Sequence, residues 1–167
     1  VITKKMKARI SLMIFLISGV FLGLFLYNKF RVAPKMEFYN LELFDSSGIK
    51  VDMNKFKGKK IIVSYYASWC GDCLRELKSL NEVKELKLKD VEIVAITDET
   101  TEKLISFQKR KNYPFHFYRI NKSFSEIKVF SIPVNYMINS QGKTYWEKVG
   151  TIDWNDNDYI QLVRKLD

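Results

Sequence analysis

The longest apolar run in the chain comes first. Ile10 to Tyr27 reads ISLMIFLISGVFLGLFLY, eighteen residues without a charge. At about 1.5 Å per residue a helix of that length roughly spans a hydrocarbon core, and with no polar face it does not suit the surface of a globular protein. The pattern predicts an N-terminal transmembrane helix over residues 10–27, preceded by a basic N-terminus at 1–9 and followed by a short linker at 28–36 that contains Pro34. A cleaved signal peptide calls for small residues just after the apolar stretch. Phe25, Leu26, Tyr27 and Asn28 stand there instead, so the reading is an uncleaved anchor.

Past the linker the pattern changes to short alternating and periodic segments. Glu37–Phe44 and Lys50–Val51 flank the turn Asp45-Ser46-Ser47-Gly48, which predicts an N-terminal β-hairpin. The β-branched and aromatic run Ile61–Ala67 suits a buried central strand. From Asp72 to about Lys87, Leu74, Leu77, Leu80, Val83 and Leu86 recur every three residues among polar positions, as an amphipathic helix requires. Val91–Thr97 reads as a strand, Thr101–Lys111 as a helix and Phe115–Ile120 as a strand. Ser123 with Glu126 fits a capping box that starts a short helix to Phe130. Val134–Ile138 and Thr144–Val149 form a terminal hairpin about Asn139–Lys143, and a last helix runs from about Asn157 to Leu166. Strands alternating with helices and closing on an antiparallel hairpin predict an α/β domain over 37–167, a central mixed β-sheet flanked by helices.

The chain's 167 residues leave room for one such domain beside the apolar segment, and 47% hydrophobic residues are enough to build its core. The net charge of +9 raises the question of a nucleic-acid partner. Residues 1–35 hold seven of the 28 basic residues and no acid, which leaves 21 basic against 19 acidic residues in the rest of the chain. The excess therefore flanks the apolar run, and no nucleic-acid role is expected. Lys4, Lys5, Lys7 and Arg9 precede the run, and positive residues near a span tend to stay cytoplasmic. Lys29, Arg31 and Lys35 on the far side weaken the asymmetry. The expected arrangement is a single pass through the cytoplasmic (inner) membrane, with the C-terminal domain on the periplasmic or other extracytoplasmic side.

The only cysteines are Cys70 and Cys73, and His116 is the only histidine. A structural zinc site takes about four ligands, so the chain cannot close one alone, and no metal is expected. A bond between residues three apart closes almost no loop, so it is no folding scaffold. Redox chemistry remains, with no cofactor expected beyond a Cys70–Cys73 dithiol/disulfide. Cys70-Gly71-Asp72-Cys73 stands where the predicted strand ends and the helix begins. There the first sulfur meets unpaired N–H groups and the positive end of the helix dipole, both of which stabilise a thiolate. Cys70 becomes the nucleophile, and Cys73, one turn further in, is placed to resolve the mixed disulfide. The bland alternative is that two cysteines merely pack as small apolar residues.

The stretch Val63 to Cys73 resembles the active-site strand and helix start of thioredoxins. Gly58-Lys59, Ala67-Ser68-Trp69-Cys70, Cys73 followed by Glu76, Ile132-Pro133 and Asn139…Gly142-Lys143 are more similar still to the TlpA/ResA-like membrane-anchored thiol-disulfide oxidoreductases. The resemblance covers about residues 36–167. It implies a thioredoxin-like fold, a carboxylate near the cysteines, and a cis proline at Pro133 lying against the sulfurs, with the backbone before it pairing with substrate. It also implies protein disulfide substrates, Apocytochrome maturation among the processes served, and a membrane-embedded thiol electron donor. Trp69 and Ile132 join Pro133 as expected substrate contacts. An ordinary trans proline at an edge is the alternative at Pro133.

Three positions depart from the pattern. Asp72 replaces a proline beside the nucleophile and should disfavour the Cys70 thiolate, which argues against a strongly oxidising centre. Ser64 stands where thioredoxins carry a buried aspartate, and Lys78 replaces a helix proline, so the helix is expected to be straighter. With Ser64 unable to ionise, Glu76 becomes the candidate proton acceptor for Cys73, against a solvated helix glutamate as the alternative. His116 and Asp98 are read as packing and loop residues outside the site. The favoured function is an extracytoplasmic reductase of protein disulfides. A disulfide-forming oxidase and a tethered binding module remain open, whereas the Tyr65–Trp69 stretch lacks the Thr-x-x-Cys context of a thiol peroxidase.

Overall fold

The computed structural model describes residues 4–166, so residues 1–3 of the basic N-terminus and Asp167 lie outside the described residues. The chain divides into two compact units, Val1–Val32 and Ala33–Asp167. In the first, helix α1 spans Lys4–Arg31 and is apolar on all sides of its central stretch. Residues Lys5–Asn28 are long and apolar enough to cross a membrane. The helix therefore extends past the apolar run at both ends.

The second unit is a six-stranded sheet in the order β1-β4-β3-β2-β5-β6. Its strands are β1 (Leu43–Phe44), β2 (Lys60–Tyr65), β3 (Val91–Thr97), β4 (His116–Ile120), β5 (Val134–Ile138) and β6 (Thr144–Val149). Helices α2 (Gly71–Lys87), α3 (Thr101–Lys111) and α4 (Asn157–Arg164) complete it. β2, β3 and β4 run parallel through the crossovers α2 and α3, while β5 lies antiparallel to β2 and β6 antiparallel to β5. The arrangement is the mixed sheet with helices that the alternation of segments implies.

Period-two alternation sorts the strand side chains between two cores. Ile62 and Tyr66, Ile93 and Ala95, and Met137 join Leu77 and Leu80 of α2, Phe107 of α3 and Val163 of α4 on one face. Ile61, Val63, Val94, Ile96 and Tyr136 meet Phe38, Met53 and Phe56 from the segment before β2 on the other. That segment is held at its start by Gly142, whose φ of +80° and close approach to the Tyr39 ring leave no room for a side chain.

Three expectations are corrected. The N-terminal hairpin shrinks to the two residues of β1, a single bridge between Phe44 and Lys50, and the Asp45–Gly48 turn. β1 instead pairs with Ile120 and Arg119 of β4, and Phe38–Asn40 forms a 3₁₀ turn. The helix expected over 123–130 is a set of turns. Ser123 N–H donates to Glu126 Oε2 at 2.7 Å, so the capping contact forms, but Lys128 adopts φ +63°, which a continuing right-handed helix does not allow. Leu86 is exposed, whereas Cys73, Glu76, Leu77, Leu80 and Val83 make the buried face of α2. A strict spacing of three drifts about 60° per step around a helix of 3.6 residues per turn, so Leu74 and Leu86 fall away from the buried stripe.

Candidate functional site

The C-terminal end of β2 lies between the C-terminal end of β3 and the N-terminal end of β5, with Tyr65 opposite Ile96 on one side and Val134 on the other. Three chain segments therefore meet where the redox motif begins. Cys70 is the N-cap of α2: its sulfur accepts the Cys73 N–H at 3.2 Å, which satisfies one of the unpaired donors of the first turn. Cys70 and Cys73 are joined in a disulfide. Cys73 is fully buried and Cys70 is 8% exposed, so the outer sulfur is the one a partner reaches.

The loop into Cys70 is clasped by Glu99, just past the end of β3. Its carboxylate accepts the Ser68 N–H at 2.6 Å and the Ser68 hydroxyl at 2.8 Å, and pairs with Lys103 at 3.2 Å. Burial works against its charge, but these donors outweigh it and hold the carboxyl below its usual range. Glu99 went unnoticed in the sequence because only the pairing of β2 with β3 brings it to Ser68. The acidic residue at the end of a strand parallel to the motif strand was the available signal. Asp98 beside it accepts the Phe124 N–H at 2.9 Å and serves as a loop cap, as expected.

Glu76 sits one turn beyond Cys73 and is 1% exposed. The solvated alternative is thereby excluded. Its Oε2 accepts the Ile152 N–H at 2.8 Å and its Oε1 the Ser64 hydroxyl at 3.3 Å. The Asn135 amide lies close enough to favour the carboxylate without completing a hydrogen bond of good geometry. Burial pushes the carboxyl up to about 7, against the pull of Ile152, Asn135, Ser64 and the Lys148 charge. A carboxyl balanced near neutrality can take up and release a proton, and this one lies one helical turn from a cysteine of the redox pair.

The Ile132–Pro133 bond is cis, which settles the alternative at that proline. Pro133 is buried and its carbonyl accepts the Gly150 N–H at 2.8 Å. The strand register puts Pro133 at the motif's end of the sheet, since Val134 lies opposite Tyr65. Ile132 is partly buried against both cores, and Trp69 is 73% exposed beside Cys70. Asp72 is at the surface and paired with Arg75, which screens the effect expected on Cys70. Lys78 is exposed beside Glu82 at 3.7 Å and α2 runs unbroken over Gly71–Lys87. His116 pairs with Glu92 at 2.9 Å and packs on Phe56, away from the motif. A cleft of about 570 Å³ lined by Met36, Tyr39 and Lys143 lies at the opposite end of β5 and β6, so cavity volume does not mark the site. The reactive sulfur opens onto a surface, as chemistry on a macromolecule requires.

Fold and site together define a thioredoxin-like thiol-disulfide oxidoreductase. The profile of the AhpC/TSA family matches residues 33–145, and the chain belongs to that family. The thiol-disulfide oxidoreductase ResA of Bacillus cereus (strain ATCC 10987 / NRS 248) is 31% identical over 157 residues, covering 88% of this chain and 90% of its own. ResA of Bacillus subtilis (strain 168) is 26% identical, with 96% of each chain covered. Among solved structures, a thioredoxin-like protein from Porphyromonas gingivalis matches with a TM-score of 0.65 at 22% identity, over 80% of this chain and 94% of that one. StoA from Bacillus subtilis matches with a TM-score of 0.57 at 19% identity, over 73% and 94%. These two likenesses concern the fold alone.

Proposed function

We propose that the protein reduces protein disulfides outside the cytoplasm, anchored in the cytoplasmic membrane by α1. The observation that carries the reading is the buried Glu76 carboxyl one turn from Cys73, behind an outer sulfur at a helix N-terminus. Reduced Cys70 attacks a substrate disulfide and forms a mixed disulfide. Glu76 takes the Cys73 proton, and the resulting thiolate displaces the substrate from Cys70, closing the Cys70–Cys73 bond. Trp69, Ile132 and Pro133 form the surface that a substrate segment meets. A membrane-embedded thiol donor returns the pair to the dithiol, since an oxidising space offers no soluble reducing pool. Four basic residues before the apolar run support the outward orientation, and apocytochromes are one class of substrate that fits it. Asp72, although paired with Arg75, adds negative charge near the nucleophile and supports the reducing direction.

Cys73→Ala in the native membrane tests the reading. The expected result is a set of proteins held covalently on Cys70 and released by dithiothreitol, together with a reduction potential of the wild-type pair well below the roughly −120 mV of a strong oxidant. An empty trap sinks the exchange reading, and a potential near that of a strong oxidant reverses the direction.

A further inference from the structure

Among the described residues, the buried polar or charged side chains are Ser64, Glu76, Thr97 and Asn135, and three of these four meet at one place. Ser64 of β2 is the cross-strand partner of Asn135 of β5, and Asn135 is the partner of Lys148 of β6. Alternation puts all three on the α2 side: Ser64 with Ile62 and Tyr66, Asn135 with Met137, and Lys148 with Trp146. A polar row thus crosses three strands of an otherwise apolar layer, directly beneath the helix that carries Cys73 and Glu76. We propose that Asn135 is a positioning residue for Glu76, its amide serving the carboxyl in both protonation states, with Ser64 and Lys148 completing the row. This rests on the reading of Glu76 as the acceptor of the Cys73 proton.

Asn135 is fully buried, and neither its amide nitrogen nor its amide oxygen makes a hydrogen bond. Native interiors rarely tolerate such a group without reason, because the apolar alternative is better. The reason here is a neighbour whose needs change. A carboxylate only accepts, whereas a carboxylic acid also donates. The Ile152 N–H on Oε2 can donate in either state, but it offers no acceptor to the O–H of the acid. The Ser64 hydroxyl can turn round. Asn135 offers an NH₂ to the anion and a carbonyl to the acid, so Glu76 need not leave its burial site when the proton arrives. Lys148, held by the Tyr159 hydroxyl at 2.6 Å and lying 5.0 Å from the centre of that ring, supplies positive potential from behind the row.

The groups that act on Glu76 are therefore Ser64 from β2, Asn135 from β5, Lys148 from β6 and the Ile152 amide from the segment before α4, with Cys73 one turn before it on α2. Lys148 is the charged one. In the resolving step the Cys73 S–H bond breaks and a Glu76 O–H bond forms. Cys73 sulfur then bonds to Cys70 sulfur as the bond from Cys70 to the substrate breaks. The two cysteines lose two electrons to the substrate disulfide, the substrate departs as a thiolate and takes a proton from solvent, and Glu76 later releases its own to solvent.

The test uses the full chain in detergent, with two readouts. One is the pH titration of the Glu76 carboxylic C=O band by difference infrared spectroscopy, assigned by its loss in Glu76→Gln. The other is the pH profile of single-turnover reduction of oxidised glutathione. Asn135→Leu is expected to raise the Glu76 midpoint by about one pH unit, because the neighbouring amide that favours the carboxylate is removed. Asn135→Thr, whose hydroxyl both donates and accepts, is expected to keep it. Lys148→Met is expected to raise it by about half a pH unit through loss of the nearby charge. An unmoved midpoint in a folded Asn135→Leu protein overturns the proposal. Should that variant not fold, an unmoved midpoint in Lys148→Met overturns it instead. A midpoint that moves while the rate profile stays put upholds the positioning role of the row and overturns the assignment of Glu76 as proton acceptor, so the two failures are distinguishable.

Discussion

Burial gives Glu76 a linkage between pH and stability whose sign is set by its folded value of about 7 against the ordinary 4.5. The neutral form is the one the fold favours. The carboxyl's contribution to stability is therefore full below about 4.5 and is lost as the pH rises through about 7. Glu92 and Glu99 are shifted the opposite way, so their contributions are present above the ordinary carboxylate range and disappear only below it. Between pH 4.5 and 8, Glu76 dominates among these. Glu76→Gln is expected to remove about 3 kcal/mol of the fall in unfolding free energy over that interval. Urea denaturation of the oxidised protein at both ends of the range measures it, and an unchanged difference would refute the linkage. Cys70, Cys73 and Glu76 were legible in the sequence because they share one helix start, and because the family resemblance implies a carboxylate near the cysteines while Ser64 cannot ionise. Asn135 and Glu99 were not, since each reaches the site through strand pairing. The one polar residue in the buried strand Val134-Asn135-Tyr136-Met137-Ile138 was the trace that Asn135 left.

At the scale of elements, the periodicity of α2 separates two leucines that look alike along the chain. Leu80 is fully buried, and Leu86 is 79% exposed. Leu80→Ala is expected to cost about 3 kcal/mol by loss of transfer energy and the cavity it leaves, while Leu86→Ala stays within about 0.5 kcal/mol. Thermal or urea unfolding of the two variants decides it, and similar losses would mean that α2 is rotated from the orientation described. The bounds of β3, α3, β5 and β6 followed from local pattern because each is a run with clear periodicity and end signals. The failures lie where local and tertiary preferences conflict. Ser123 and Glu126 make their reciprocal contact, yet the left-handed Lys128 and the Val129 N–H to Phe124 carbonyl bond at 2.8 Å turn the chain back towards β5. Residues 37–42 have the composition of a strand, but Phe38 is spent on the core beneath Phe56 rather than on a ladder.

For the whole molecule, sidedness is the property that decides which disulfides it meets. In a Cys70→Ser/Cys73→Ser background, Asn155→Cys and Lys7→Cys place single thiols at exposed positions of the two units. A membrane-impermeant maleimide added to intact cells is expected to label position 155 at once and position 7 only after permeabilisation. The reverse pattern would overturn the outward orientation. The charge pattern offers a divided signal on this point: Lys4, Lys5, Lys7 and Arg9 precede the apolar run, while Lys29, Arg31 and Lys35 follow it.

The hydrogen bond from Ile152 N–H to Glu76 joins residues 76 positions apart. During synthesis, a chain that has emerged as far as the end of α2 already carries both sulfurs and the glutamate. It still lacks β5, which brings Asn135 beside Ser64, and the amide that holds the carboxyl in place. Domains fold as units once enough of the chain is available. A nascent chain thus carries both thiols before the terminal hairpin, the Ile152 amide and finally α4 arrive. Ribosome-bound fragments ending before residue 134 are therefore expected to exchange thiols as a simple peptide does.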